Sequence, residues 1–268
     1  MEIPGYKGNL AWLGPRTVLL TRHGSHAYGL ATPTSDLDVK GVAVAPVAYY
    51  LGFSQRFEQA ECAEPDTVVY ELRKFMQLAA DCNPSIVEVL FTHPDDHLGV
   101  TPVGERLLAA RDMFLSKKAR HTFSGYAMAQ LRRLETHHRW VVAPPEPASK
   151  DWEAYAQWQK GRNPKRAALE ARYGYDTKFG AHVVRLLRMC REILTEGDVR
   201  VRRPDRDELL AIREGAWPFE RLREWAVAED AAMEGLAKAS ALPHTPDRHA
   251  LDALCVSLVE EALRTLPA

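Results

Sequence analysis

The chain has 268 residues, 46% of them hydrophobic, and a formal net charge of −1. That is enough for one large or two small hydrophobic cores and too little positive charge for a general polyanion binder, so any nucleic-acid contact must come from local basic patches. Four cysteines (Cys62, Cys82, Cys190, Cys255) lack CxxC spacing and suggest neither a zinc ribbon nor a disulfide framework but reduced thiols in a cytoplasmic protein. The start of the chain lacks a signal-peptide pattern, and no apolar run reaches the ~18 residues of a membrane span.

In chain order, TVLLTRH (17–23) is a short aliphatic strand ended by Gly24. DLDVKGVAVAP (36–46) alternates, with Asp36, Asp38, Lys40 and Val42 on one side and Leu37, Val39 and Gly41 on the other. DTVVYEL (66–72) is a third strand. The period then changes: Leu72, Phe75, Met76 and Ala79 share one helical face. NPSIVEVLF (83–91) predicts a helix capped by Asn83, with Pro84 in its first position. From about residue 103 the chain turns helical, through ERLLAARDMFL, SKKARHTFSGYAMAQLRRLETHHRW, TKFGAHVVRLLRMCREILTEG, DRDELLAIREG and a C-terminal helix. Residues 143–166, rich in proline, charge and aromatics, read as a long loop with at most one short helix. The fold class is α+β, with an α/β domain over 1–100 and a helical domain over 101–268.

The chemistry centres on GSHAYGLATPTSDLDVKGV (24–42). Residues two apart on a strand share a face, so Asp36 and Asp38 project together, and a divalent cation is the natural neutraliser of such a pair. Mg²⁺ (or Mn²⁺) takes one or two carboxylates plus substrate phosphates. Gly24 lets backbone N–H groups approach an anion, Ser25 adds a hydroxyl, and His26 lies in the same corner. A third carboxylate would complete a two-metal site, and Glu71 at the end of VVYEL is the candidate. Its other reading is a carboxylate at the start of the helix that follows.

These residues resemble the nucleotidyltransferase signature of the DNA polymerase β superfamily: Gly24-Ser25, Gly29 and Ser35-Asp36-Leu37-Asp38. The closer similarity is to the predicted nucleotidyltransferases of the RNA-repair-pathway family. It extends through Tyr70–Phe75, Asn83–Phe91, the FSGYA…QL helix (Phe123–Leu131) and the GYDTK…H…RLL helix (Gly174–Leu187). The resemblance implies a minimal polymerase-β palm followed by a mostly helical half. It also implies metal-dependent transfer of NMP from an NTP, ATP being the expected one, to an acceptor hydroxyl with release of pyrophosphate. In this reading Asp36, Asp38 and Glu71 are catalytic and hold the metal, while Gly24, Ser25, His26 and Ser35 bind the nucleotide.

On the last of these helices Lys178, His182 and Arg185 recur at i, i+4 and i+7 along the border of the apolar face. They are expected to support the nucleotide's phosphates, an ordinary charged flank being the alternative. Lys160, Arg162, Lys165 and Arg166 follow Trp152, Tyr155 and Trp158, a mixture that suits an unpaired nucleic-acid strand or an anchored, solvated loop. The expected acceptor is an RNA 3′ end such as that of tRNA. The rival functions are nucleotidylylation of protein and non-catalytic nucleotide or RNA sensing. The sequence fixes no oligomeric state.

Overall fold

A computed structural model describes residues 1–267. By internal contacts the chain forms two compact units, interleaved along the sequence rather than contiguous as the division at residue 100 expects. One comprises Met1–Ala119, Glu196–Pro204 and the segment from Ala241 onward; the other comprises Arg120–Thr195 and Asp205–Ser240.

The first unit holds a five-stranded mixed sheet of order β3-β4-β2-β1-β5. Its strands are β1 (Thr17–His23), β2 (Asp38–Ala43), β3 (Gln59–Cys62), β4 (Asp66–Glu71) and β5 (His97–Val100). β1 lies antiparallel to β2 and β5, β2 runs parallel to β4, and β3 lies antiparallel to β4. One face of the sheet carries Leu20, Val39, Ala43 and Val69, packed with Ile3 and Leu13 of the N-terminal segment. The other carries Asp38, Lys40 and Val42 of β2, with Thr21 and Leu19 beside them on β1.

Around the sheet stand α1 (Gly24–Ala27), α2 (Ala48–Leu51), α3 (Leu72–Ala80), α4 (Pro84–Leu90), α5 (Pro102–Ala109) and, from the far end of the chain, α12 (Arg248–Thr265). Local chemistry starts these helices. Glu71 caps α3, Asn83 caps α4 ahead of Pro84, Thr101 caps α5 ahead of Pro102, and Asp247 caps α12. Arg16, buried in β1's approach, donates to the Val44 carbonyl at 2.7 Å and to the Ala262 carbonyl at 3.4 Å, which ties α12 to the sheet.

The second unit is helical. It contains nearly all of α6 (Ala119–Val142), α7 (Trp152–Lys160), α8 (Pro164–Tyr173), α9 (Thr177–Glu196), α10 (Arg206–Arg213) and α11 (Phe219–Ala239). Within residues 143–166 the structure has one short helix, α7, with non-helical segments at 143–151 and 161–163, and α8 begins at Pro164 where only loop was expected. Trp152, Tyr155 and Trp158 recur every three residues on α7, and the ring centroids of Tyr155 and Trp158 lie 5.8 and 5.4 Å from that of Trp140 on α6. Asn163 then caps α8 through Lys165 N–H at 3.0 Å, with Pro164 as its first residue. Aromatic packing at helical spacing overrides the proline and charge content that suggested a loop. No helix among the described residues is long and apolar enough to cross a membrane.

Candidate functional site

The end of β1 and the starts of β2 and β4 meet at one edge of the first unit. The registers align His23 with Asp38 and Asp38 with Asp66. Partners directly across a ladder point to the same face, with Cα atoms about 5 Å apart. Asp66 therefore shares the face of Asp38. Asp36, two residues before Asp38, lies just outside β2 and is exposed. Neither Asp36 nor Asp66 has an ion-pair partner among the described residues.

Glu71 is elsewhere, and its assignment to the metal site is corrected. It pairs with Ala43, five residues along β2 from Asp38, or about 16 Å at the rise of a strand. An odd offset from Asp66 also puts it on the opposite face of β4. Its carboxylate is buried and fully engaged. It accepts from the N–H groups of Arg73 at 2.9 Å and Lys74 at 3.2 Å and from the Tyr50 hydroxyl at 2.8 Å. Burial first, and the Glu71 charge second, push the Tyr50 phenol well above its ordinary pKa. Glu71 is the N-cap of α3. Asp66 belongs to no motif in the sequence, and only the register of β4 against β2 brings it to Asp38.

The glycine–serine corner sits against this edge. Gly24 has φ +60°, a left-handed conformation that disfavours any side chain, and a Cβ there would overlap the Asp38 carboxylate. The first turn of α1 thus brings its backbone onto Asp38. Ser25 and His26 follow in α1, and the buried Nε2 of His26 has no hydrogen-bond partner. Ser35 closes the turn ahead of the aspartates: its Oγ accepts from Thr32 N–H at 2.9 Å and its own N–H donates to the Thr32 carbonyl at 2.9 Å. Its hydroxyl serves the turn that delivers Asp36 and Asp38.

Beneath the corner lies a buried polar group built on Glu88. Glu88 of α4 accepts from the Tyr28 hydroxyl, and its Oε2 lies 3.3 Å from Nε2 of His23. The side chains of Glu88 and His23 are 1% and 7% exposed, so the carboxylate and the ring face each other in the interior, at ion-pair distance rather than in a hydrogen bond. Lys40, next along the Asp38 face, donates to Ser85 at the start of α4. α4 therefore locks both sides of the corner from below.

The remaining expected residues lie in the second unit. On α9 Lys178 is exposed, His182 is half-buried and Arg185 is buried. Arg185 donates to Nδ1 of His182 at 3.0 Å and approaches the Met189 sulfur at 3.2 Å, so it orients His182 from the interior rather than presenting an open cation. The Tyr126 ring on α6 stands edge-on to His182, 6.0 Å between centroids. Of the four basic residues expected to bind nucleic acid, Lys160 and Lys165 are exposed, while Arg162 and Arg166 are drawn inward to Glu170 and Asp176.

A hard divalent cation fits the chemistry of the first site. Asp36, Asp38 and Asp66 offer only carboxylate oxygens, and at least two of them lack a neutralising partner. Among the described residues no group of three His, Cys, Asp or Glu side chains is already gathered into a metal cluster, so the carboxylates would be drawn together by the ion and the substrate.

A mixed sheet with a left-handed glycine pressed on the second aspartate of a DxD pair defines the α+β, polymerase-β-like fold, here followed by a mostly helical half. The RNA repair pathway DNA polymerase beta family, RlaP, matches residues 11–257, and the chain belongs to it. That membership associates it with a nucleotidyltransferase-like role in RNA repair. The chain is also similar to an uncharacterized 38.9 kDa protein from the nrdC-mobD intergenic region of Enterobacteria phage T4, with 31% identity over 90 residues. That similarity covers 30% of this chain and 27% of the phage protein.

Proposed function

We propose that the protein transfers NMP from an NTP to the 3′ hydroxyl of an RNA, releasing pyrophosphate. The observation that carries this reading is the packing of the Gly24 backbone on Asp38 with Asp66 directly across the ladder. It sets the glycine–serine corner beside a carboxylate edge, which is what phosphoryl transfer needs: positioning and charge neutralisation. The corner's backbone and the Ser25 hydroxyl hold phosphate oxygens, and Asp36, Asp38 and Asp66 would hold Mg²⁺ or Mn²⁺, which when bound neutralises charge on the phosphates and on the attacking oxygen. The acceptor oxygen attacks the α-phosphorus in line, and the bond to the pyrophosphate oxygen breaks. Asp66, exposed and unpaired, is placed to take the hydroxyl proton. In the second unit Lys178 is the exposed cation of the α9 stripe, open to a phosphate. ATP is the expected donor.

Purified protein incubated with each α-labelled NTP, Mg²⁺ and total tRNA tests this. Label on RNA, abolished in Asp36→Asn and Asp38→Asn, is the expected result. Label on protein instead would redirect the chemistry to side-chain hydroxyls. Nucleotide binding without transfer would overturn the catalytic reading.

A further inference from the structure

The second unit contains a cavity of about 290 Å³ that the transfer chemistry does not use. This is near the lower end for small-ligand pockets, which start at roughly 300 Å³. Three arginines line it: Arg133 of α6, Arg162 ahead of α8, and Arg166 of α8. Two carboxylates, Glu170 and Asp176, face them. Both acids are buried and already bonded. Arg162 Nε donates to Glu170 at 3.0 Å, and Arg166 lies 3.4 Å from Asp176, which also accepts the N–H groups of Lys178 and Phe179 at 3.1 Å each. Arg133 has no carboxylate partner among the described residues. Three cations against two anions leave one positive charge in the lining. His137, also in the wall, does not add to it. Burial, together with the Arg133 and Arg162 charges, lowers its pKa to about 4, so the ring is neutral at physiological pH.

The guanidinium planes are held on aromatic faces. Arg162 lies 4.4 Å above Trp158, and Arg166 lies 3.9 Å above Phe179. Stacked in this way, an arginine keeps its N–H edge in a fixed direction, the arrangement that suits phosphate. The Gln130 amide, a further part of the wall, has its buried Oε1 without a partner. A buried acceptor left unpaired is costly, and a ligand O–H or N–H would satisfy it.

We infer that this cavity binds a nucleoside phosphate unit, with the phosphate on Arg133 and a sugar hydroxyl or base N–H on Gln130. A bare anion would leave the Gln130 acceptor unpaired, and Arg133, exposed and without a carboxylate partner among the described residues, is the guanidinium of the wall open to a phosphate. Exposed Lys160 and Lys165 flank Arg162 along the chain and offer charge for adjoining phosphates, which favours a unit of an unpaired RNA strand as the source over a free mononucleotide.

Calorimetric titration of the full chain with 5′-AMP, with inorganic phosphate and with a single-stranded oligoribonucleotide tests the inference, each repeated on Arg133→Ala, Arg133→Lys and Gln130→Leu. The oligoribonucleotide should bind, lose about tenfold in affinity in Arg133→Ala, and show a salt dependence shallower by about one unit of log–log slope. Arg133→Lys should recover part of the affinity, and Gln130→Leu should weaken the oligoribonucleotide without altering any response to inorganic phosphate. Arg133-dependent binding of 5′-AMP alone would keep the site and assign it to the free nucleotide. Binding unaffected by Arg133→Ala, or no binding of either nucleotide ligand, overturns the inference. Asp36→Asn, expected to lose transfer, should retain this affinity, so a negative result at the cavity leaves the transfer reading standing.

Discussion

Asp38 and Asp66 are register partners across the parallel pairing of β2 and β4, whereas Glu71 lies five residues further along and on the other face. The two acids of β4 therefore have separable roles. Asp66→Asn should reduce nucleotidyl transfer by about 100-fold or more while leaving the thermal midpoint within a degree or two, because an exposed side chain is changed and no packing is lost. Glu71→Ala should do the reverse. It removes the N-cap of α3 and the acceptor of the Tyr50 hydroxyl, costing about 2 kcal/mol. At this chain length that lowers the midpoint by roughly 4–8 °C. Turnover per folded molecule should hold below the transition. Thermal denaturation and labelled-NTP assays on both variants separate the roles, and loss of turnover in folded Glu71→Ala would restore it as a catalytic group.

Gly24→Ala is expected to be more damaging than an alanine usually is. The positive φ costs about 1–2 kcal/mol for a residue with a side chain. The added carbon also meets the Asp38 carboxylate, which must move from the edge it shares with Asp66. Transfer should therefore fall by at least the loss seen in Asp66→Asn, with a smaller change in stability. Circular dichroism on the same preparation checks that the fold survives. Near-normal transfer in Gly24→Ala would show that the corner does not position Asp38.

Much of this arrangement was legible in the sequence because it is local. The alternation at Asp36, Asp38 and Lys40 gives the polar face of β2, and the Asn83-Pro84 start gives α4 to the residue. What failed was non-local. Two acids sit at the ends of β4, and only the strand register says which of them meets Asp38. Parity alone was a warning, since Asp66 and Glu71, five apart, cannot share a face. Glu88 lies within a recognisable segment, yet nothing near it in sequence reveals that Tyr28 bonds to it and His23 faces it from sixty or more residues upstream. α7 and α8 were hidden for another reason: their helical spacing is carried by aromatics amid charge and proline, where composition argues for a loop.

The Glu88 group yields a prediction of its own. Glu88→Gln keeps the volume but removes the charge that holds the Tyr28 hydroxyl and the His23 ring. Glu88→Ala removes the acceptor of the Tyr28 hydroxyl and the carboxylate beside the His23 ring, costing about 1–3 kcal/mol. Stability should fall in the order wild type, Gln, Ala in urea titrations. Transfer should fall in the Gln variant through kcat more than KM, because the corner is displaced rather than emptied. Equal stability of Glu88→Ala and wild type would contradict the buried network.

The pH dependence of stability carries the signature of His137. Its folded pKa, about 4, lies below the ordinary 6.5 because burial and then the Arg133 and Arg162 charges disfavour the protonated ring. Between those values the unfolded chain holds a proton there that the native ring does not, so stability rises with pH across this window. The contribution is complete above pH 6.5 and is lost progressively as pH falls toward 4. His137→Phe removes the titration while keeping a ring in the aromatic group with Trp140 and Trp158. Its stability relative to wild type should therefore improve as pH falls from 6.5 to 4, measured as the difference in urea midpoints. A difference that stays flat over this range would mean that the native ring titrates normally.

Gly125 offers a gain rather than a loss. It lies within α6, in the segment Phe123–Leu131 that marked the family resemblance, and a Cβ added there would have nothing within 4 Å. No close packing and no positive φ requires a glycine at this point. A mid-helix glycine costs about 0.5–1 kcal/mol relative to alanine because it has more backbone freedom to lose on folding. Gly125→Ala should therefore raise the thermal midpoint by roughly 1–4 °C. Tyr126, its exposed neighbour edge-on to His182, should keep its environment, so the near-ultraviolet spectrum should not change. A destabilised Gly125→Ala would show that the helix needs the glycine for a contact beyond the open space beside it.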